Sequence, residues 1–210
     1  MNERRRPAGD EGPTWREYYD AVAGRAPRPL LRRALALADP ESAGGAGKLA
    51  VDVGCGEGTD ALELLARGYT VLALDQEEEA IARLRTRVPP ASSARLAATV
   101  VHFETMDLPA ADLVLASLSL PFARPAAFPF VWRKIVDALV PGGWFVGHFF
   151  GVNDTWATRP EMTFHTAASV RALFTRFALA VCEEEERDGE TALREPKHWH
   201  IFHVIARKLD

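Results

Sequence analysis

Cysteine is scarce: the 210 residues hold two, Cys55 and Cys182. Two cysteines outside any Cys-x-x-Cys pair do not make a disulfide framework, and both read as reduced thiols of a cytoplasmic protein. Long apolar runs are missing too. None reaches the roughly 18 residues that would suggest a membrane-crossing helix, so no membrane partner is expected. Arg4, Arg5 and Arg6 near the N-terminus are not followed by the apolar stretch of a secretory signal. An excess of positive charge is also absent. The net charge is −4 and the pI about 5.9, which argues against a nucleic-acid partner. Internal repeats are not seen.

What is present suits one globular domain with a sizeable core, since 48% of residues are hydrophobic and 26% charged. Its centre is the stretch Val51 to Asp60, Val-Asp-Val-Gly-Cys-Gly-Glu-Gly-Thr-Asp. Apolar Leu49, Val51 and Val53 read as the end of a buried strand. Gly54, Gly56 and Gly58 allow positive φ and close backbone approach to a ligand. Cys55 stands inside this turn, where a small residue fits. Strong helix formers follow from Ala61 to Ala66, and free N–H groups at such a strand–turn–helix junction form a nucleotide site.

Residues 1–13 are charged and rich in Gly and Pro, and read as a mobile tail. Residues 14–47 read as an N-terminal helical lid, with a short aromatic helix at Trp15, Tyr18 and Tyr19 and a second helix from Pro29 to Ala38, closed by a loop at Pro40 and Gly44–Gly47. From Lys48 to the end, strand and helix patterns alternate. Strands are expected at Thr70–Leu74, Ala98–Phe103, Asp112–Ser117 and Trp144–Phe150. Helices are expected at about Glu77–Val88, along the stripe of Phe128, Val131, Trp132, Ile135 and Leu139, and at Thr163–Phe177. Two last strands, Ala178–Glu186 and His200–Arg207, flank a turn signal at Asp188-Gly189. Continuous apolar strands alternating with helices mean an α/β, doubly wound, mostly parallel sheet covered on both faces, with an antiparallel addition at one edge. Glu183–Glu186 fit that exposed edge.

A doubly wound sheet binds its ligand at the carboxyl ends of the strands. The candidate site therefore joins the glycine turn, Asp75 with Gln76 after the second strand, Met106-Asp107 after the third, and Ser117–Phe122 after the fourth. A carboxylate at Asp75 can accept both hydroxyls of a ribose; it can also cap the next helix, and the two roles are compatible. The third glycine of a dinucleotide fingerprint is replaced by Thr59, which disfavours a hydride-transferring oxidoreductase, and there is no Walker lysine. Asp52, two positions before the first glycine, repels a pyrophosphate and attracts an amino group. That charge logic favours S-adenosylmethionine, which carries an ammonium and a sulfonium.

Over residues 48–208 the chain resembles the class I S-adenosylmethionine-dependent methyltransferases. The matching segments are VDVGCGEG, LALD ending at Asp75, TMD at Thr105–Asp107, ADLVLASLSLPF and LVPGGWFVGHF. More loosely, it resembles the small-molecule enzymes of the tellurite-resistance and thiopurine type. The resemblance implies a seven-stranded sheet of order 3-2-1-4-5-7-6 with the last strand antiparallel. It implies that Gly54, Gly56 and Gly58 approach S-adenosylmethionine, with Asp52 near the methionine amino group, Asp75 on the ribose, and Met106 and Asp107 at the adenine. Cys55, Gln76 and Ser117 stand beside them, and Trp15 or Tyr19 can face the sulfonium.

Methyl transfer is an in-line displacement at an activated carbon, so the protein chiefly holds acceptor and methyl in line. A soft acceptor needs little base catalysis; a hydroxyl or ammonium must lose a proton. Tyr18, Phe122, Trp156 and Arg159 are the candidate pocket for a small-molecule acceptor, and His148 and Tyr19 the candidate catalytic groups. The aromatics equally fit the packing of an amphipathic helix, and His148 fits a core strand. Ser119–Phe122 lacks the polar residue and first proline of the Asn/Asp-Pro-Pro-aromatic loop of some amino-methylating members, and Pro121 reads as an ordinary turn. His198, His200 and His203 cluster near Trp199 without an acidic or cysteine partner at ligand spacing, so no metal is expected. Methylation of a macromolecule, and a noncatalytic S-adenosylmethionine-binding sensor or partner subunit, are the alternatives; fold does not decide among them.

Overall fold

In the computed structural model, residues 14–38 and 44–210 are described; the tail at 1–13 and the loop around Pro40 lie outside them. Helices α1 (Trp15–Val22) and α2 (Pro29–Ala38) precede an alternation of β1 (Leu49–Val53), α3 (Thr59–Ala66), β2 (Thr70–Asp75), α4 (Glu78–Arg87), β3 (Leu96–Val100) and β4 (Ala111–Ala116). Then come α5 (Phe128–Ala138), β5 (Leu139–Gly151), β6 (Phe164–His165), α6 (Ala167–Leu173), β7 (Phe177–Glu190) and β8 (Pro196–Lys208). The sheet order is β3-β2-β1-β4-β5-β8-β7, with two-residue β6 beside β5. Apart from β6, this is the expected order. Strands β1 to β5 pair parallel, and β8 runs antiparallel to β5 and β7.

Strand alternation divides the core into two layers. Val51, Val114, Phe145, Phe149 and Val204 pack under α5 and α6. Trp132 of α5 sits edge-on at 5.0 Å to both Phe145 and Phe174. Ala50, Leu113, Leu115, Val146 and Ile205 face α2, α3 and α4 through Leu31, Leu64 and Ile81. Helix α2 is thus part of the layer on the sheet, whereas α1 lies at its carboxyl edge.

Three local expectations change. The last helix spans only Ala167–Leu173, because a capping box between Thr166 and Ser169 starts it late. Phe174 and Phe177 keep their apolar spacing by packing on Trp132 from the helix end and the first residue of β7. Asp188 and Gly189 do not turn: they pair with His198 and Lys197 inside the hairpin. The reversal falls at 191–195, where Thr191 Oγ1 accepts the Leu193 and Glu195 amides and Arg194 takes φ 64°. Finally, Pro141–Gly143 does not end a helix before a separate strand; it forms an irregularity within β5 against β4.

His165 is wedged beside Phe128 and Phe149, ring centroids 4.8 and 5.4 Å away, and burial pushes its pKa down to about 4. The unfolded chain, with histidine near 6.5, binds the proton first, so this contribution is complete above pH 6.5 and is lost as pH falls toward 4. The unfolding free energy, measured in denaturant at pH 7 and pH 4, is expected to drop less in His165→Phe than in the natural chain, by on the order of 2–3 kcal/mol. Equal drops would refute this.

Candidate functional site

The carboxyl ends of β1 and β2 meet at the glycine turn. Gly54 and Cys55 amides donate to the Leu74 carbonyl at 2.8 and 2.9 Å, locking the turn to the tip of β2. The Gly56 amide donates to Asp75 Oδ2 at 2.8 Å, and the Glu77 amide to Oδ1 at 3.0 Å. All three glycines have positive φ: 75° at Gly54, 55° at Gly56 and 86° at Gly58. Their surroundings differ. A Cβ at Gly54 would overlap Ser119, and one at Gly58 would come within 2.9 Å of Leu84 Cβ and Cγ, whereas at Gly56 it would meet only Tyr19, at 3.6 Å. Gly54 and Gly58 are therefore required by packing as well as by φ, and Gly56 faces open space. Gly58→Ala is expected to cost about 2–3 kcal/mol through overpacking and φ strain, read as a lower urea midpoint at unchanged slope; a midpoint within error of the natural chain would contradict it.

One cavity opens above this turn. Its polar wall is Gly54, Cys55, Gly56, Glu57, Asp75 and Gln76, with Arg25 and Arg28 from the segment before α2. Its apolar wall comes from Trp15, Tyr18 and Tyr19 of α1, Val101 and Phe103 after β3, Phe122 after β4, Phe150 on β5, Trp156 beyond it, and Leu193 and Trp199 of the β7–β8 hairpin. Ser117, Leu118 and Ser119 join the two walls. Helix α1 is held over the opening by ion pairs to α4, Arg16–Glu79 at 2.8 Å and Asp20–Arg83 at 2.7 Å, and by the Trp15 ring edge-on to Phe122 at 5.2 Å.

The cavity wall thus gathers Trp15, Tyr18, Tyr19, Gly54, Cys55, Gly56, Asp75, Gln76, Ser117, Phe122 and Trp156. It does not include Asp52, Gly58, Met106, Asp107, His148 or Arg159. Met106 is buried in the core and its carbonyl accepts Lys134 Nζ at 2.7 Å, while Asp107 is exposed. Arg159 lies against Trp156, 5.0 Å from its ring centroid. The sequence reading missed Arg25, Arg28, Val101, Phe103, Phe150 and Leu193. Val101 and Phe103 stand within four residues of strand β3, so apolar side chains just past a strand tip were the available signal; the two arginines carry none.

Just beneath the cavity, the sheet face toward α2 turns polar at its carboxyl end. Asp52 follows Ala50 on that face, Ser117 follows Leu115, His148 follows Val146, and His203 stands opposite His148. Four buried atoms here have no partner among the described residues: Asp52 Oδ2, Ser117 Oγ, His148 Nδ1 and Arg28 Nε. Buried polar groups are normally satisfied, so such a set marks a place for a polar ligand. Burial, with the charge of Asp60, raises the Asp52 carboxyl far above the usual range. Burial, with His203 and Arg28, holds His148 far below the usual histidine value, so His148 is neutral. Nearby, Arg25 grips Asp60 with two nitrogens, at 3.3 and 3.1 Å, and the Arg28 amide donates to Asp60 at 2.9 Å.

Tyr19 is only 3% exposed, and burial together with Asp75 and Glu77 drives its pKa up, so it is a hydroxyl and not a base. The Cys55 thiol is likewise raised by burial, with Asp52 and Asp75 adding to it. The histidine cluster pairs with acids along the hairpin: His198 with Asp188 and Glu186, His200 with Glu184, His203 with Glu185. Among the described residues no group of three or more His, Cys, Asp or Glu side chains converges as a metal site. No helix among them is long and apolar enough to cross a membrane.

Residues 50–143 match the sequence model of a family described as a methyltransferase domain. That match covers less than half of the chain, and the sheet order and helix layers are those of the Rossmann-like methyltransferase fold. Among solved structures it is similar to TehB from Haemophilus influenzae, with a TM-score of 0.72 at 15% identity over 93% of this chain and 67% of that one. It is also similar to the N-methyltransferase NodS from Bradyrhizobium japonicum WM9 in complex with S-adenosyl-L-homocysteine (TM-score 0.66, 15% identity, covering 93% and 98%). A third likeness is 1,6-didemethyltoxoflavin-N1-methyltransferase from Burkholderia thailandensis, with 1,6-didemethyltoxoflavin and S-adenosylhomocysteine bound (TM-score 0.61, 23% identity, covering 93% and 85%). No curated protein matches the sequence.

Proposed function

We propose that the protein transfers the methyl group of S-adenosylmethionine to a small-molecule acceptor bound under α1. The observation that carries this reading is a cavity with two chemically distinct walls, one polar and one aromatic, meeting at Ser117–Ser119.

The cofactor supplies an activated methyl carbon, and the polar wall fits its other groups. The Asp75 carboxylate accepts the Gly56 amide on Oδ2 and the Glu77 amide on Oδ1, and keeps lone-pair capacity for a ribose hydroxyl. Gly56 presents bare backbone to the cavity. Arg28 Nε on that wall suits the methionyl carboxylate, and Asp52 Oδ2 just beneath it suits the ammonium, neither having a partner among the described residues. Binding a zwitterion there would satisfy two buried atoms that otherwise lack partners, which is worth more than forming the same bonds at the surface. Val101 and Phe103 offer apolar faces for the adenine.

A small acceptor is favoured because the aromatic wall is roofed by α1 and by the tip of the β7–β8 hairpin, which leaves a pocket and not a groove. NodS and the toxoflavin enzyme, whose names describe N-methyltransferases, share this fold. The test is calorimetry with S-adenosylmethionine, then transfer of labelled methyl to pooled metabolites, with protein and nucleic acid as controls. Binding with label in the small-molecule fraction is expected. Absence of binding, or label only in the macromolecular controls, would overturn the reading.

A further inference from the structure

We infer that the acceptor is a planar aromatic anion: an acidified thiol, hydroxyl or ring N–H that has already lost its proton in water. This rests on the methyl-transfer reading above, and three observations support it.

The acceptor side of the cavity is a wall of rings. Trp15, Phe122, Phe150, Trp156 and Trp199 all line it, from five separate segments of the chain. Successive centroids lie 5.2 Å apart for Trp15–Phe122, 6.4 Å for Phe122–Trp156 and 6.0 Å for Trp156–Trp199. Such a wall stacks a flat guest, and offers little to an aliphatic one beyond burial.

Cations lie against these rings. Lys197 Nζ is 4.0 Å from the Trp156 centroid, 4.5 Å from Trp199 and 5.2 Å from Phe150, and the Arg159 guanidinium is 5.0 Å from Trp156. The Asp154 carboxylate that pairs with Lys197 is also committed to the Trp156 and His200 amides. Rings that hold a cation on one face favour an electron-rich guest on the other over a cationic one.

The wall offers no general base beyond Glu195. It contains no histidine. Asp75 holds two amides, Glu57 is bonded to Arg87 and Thr59, and Tyr19 and Cys55 keep their protons. Glu195, at the exposed hairpin tip, is the remaining carboxylate of the wall. An acceptor that must be deprotonated at the moment of transfer therefore has only the exposed Glu195 to take its proton. An anion needs no base. Its lone pair forms the bond to the methyl carbon while the carbon–sulfur bond breaks, the electron pair stays on sulfur, the acceptor and the sulfur both become neutral, and no proton moves.

The experiment uses the full chain and matched series of ring-substituted thiophenols and phenols spanning the neutral range of acidity, with cyclohexanethiol and cyclohexanol as non-planar controls. S-Adenosylmethionine binding is first verified by calorimetry. Then kcat/KM is measured from pH 5 to 10 by formation of S-adenosylhomocysteine. The midpoint of each profile is expected to move with the acidity of the acceptor, kcat/KM to be at least tenfold lower for the alicyclic compounds, and the midpoints to be the same in Glu195→Gln. A midpoint fixed across the series would reveal an enzyme base and overturn it, as would equal rates for the alicyclic acceptors or a midpoint abolished in Glu195→Gln. A second readout is independent of turnover: quenching of tryptophan fluorescence by 4-nitrophenolate is expected to exceed that by the neutral methyl ether at least fivefold, and equal quenching would count against an anion site. Loss of S-adenosylmethionine binding itself would instead sink the underlying function, so the two failures are distinct.

Discussion

Asp75→Ala is expected to weaken S-adenosylmethionine binding about 100-fold, with Asp75→Asn intermediate at about tenfold, by calorimetry at constant ionic strength. The size follows from what the carboxylate does twice over. It holds the Gly56 amide at 2.8 Å and the Glu77 amide at 3.0 Å, which fixes the glycine turn against the start of α4. It also keeps lone-pair capacity toward the cavity, where a ribose diol would donate. Hydrogen bonds to a charged acceptor contribute about 1.5–3 kcal/mol each, so the loss of both ribose contacts exceeds a single neutral bond. The alanine variant also frees the Gly56 amide, so its melting temperature must be recorded beside the affinity. An intact fold with unchanged affinity would remove Asp75 from the cofactor site.

This residue was legible because its signal is local. An acid ending an apolar strand, 19 residues beyond Gly56, states its position on the sheet by sequence pattern alone. The alternation from Leu49 to Phe150 gave the parallel sheet for the same reason: the central strands β1, β4 and β5 are largely buried on both faces and read as apolar runs, while edge strand β3 is mostly exposed. The polar cofactor wall comes mostly from two adjacent strand tips, and so was within reach. The aromatic wall was only half visible. Trp15, Tyr18, Phe122 and Trp156 stand out as aromatics near expected loops, but Phe150 looks like strand core, and Leu193 enters only because the hairpin runs on to Glu190 and reverses at 191–195. Asp188-Gly189 misled because cross-strand pairs on either side, Arg187 with Trp199 and Glu190 with Pro196, outweigh a two-residue turn preference. Arg28 had no sequence signal at all. Its guanidinium matters because it lies near His148 with a buried Nε that has no partner among the described residues, and that is a tertiary fact. His148 was placed on a core strand from sequence, and the structure gives it a buried, neutral ring facing His203 at 5.1 Å, away from the cavity wall.

Asp154→Ala should be the most destabilising single change near the acceptor wall, about 3–5 kcal/mol, or a fall of roughly 10 °C in melting temperature. Both Asp154 and Lys197 have fully buried side chains. Asp154 Oδ1 accepts from Lys197 and from the Trp156 amide, and Oδ2 from the His200 amide. Removing it leaves an ammonium enclosed by three rings and two amides without acceptors. Ring faces attract a cation by about 0.5–2 kcal/mol, less than the cost of keeping it dry without a counter-ion. The double variant Asp154→Asn with Lys197→Met keeps an oxygen for an amide and removes the charge, so it is expected to recover more than half of the loss; recovery below that would mean the amides, not the ammonium, dominate. The pH dependence gives a separate check. Burial already lowers the Lys197 pKa while Asp154 opposes it, so deleting Asp154 lowers it further. The unfolded chain then holds the proton over a wider window than the native one, and stability of Asp154→Ala should rise with pH from 7 to 9 more steeply than that of the natural chain. A flat profile would show that Lys197 finds another counter-charge. Because Lys197 touches Phe150, Trp156 and Trp199 at once, the same variant should also raise KM for the acceptor while leaving S-adenosylmethionine affinity within about twofold, which separates the two walls of the cavity by experiment.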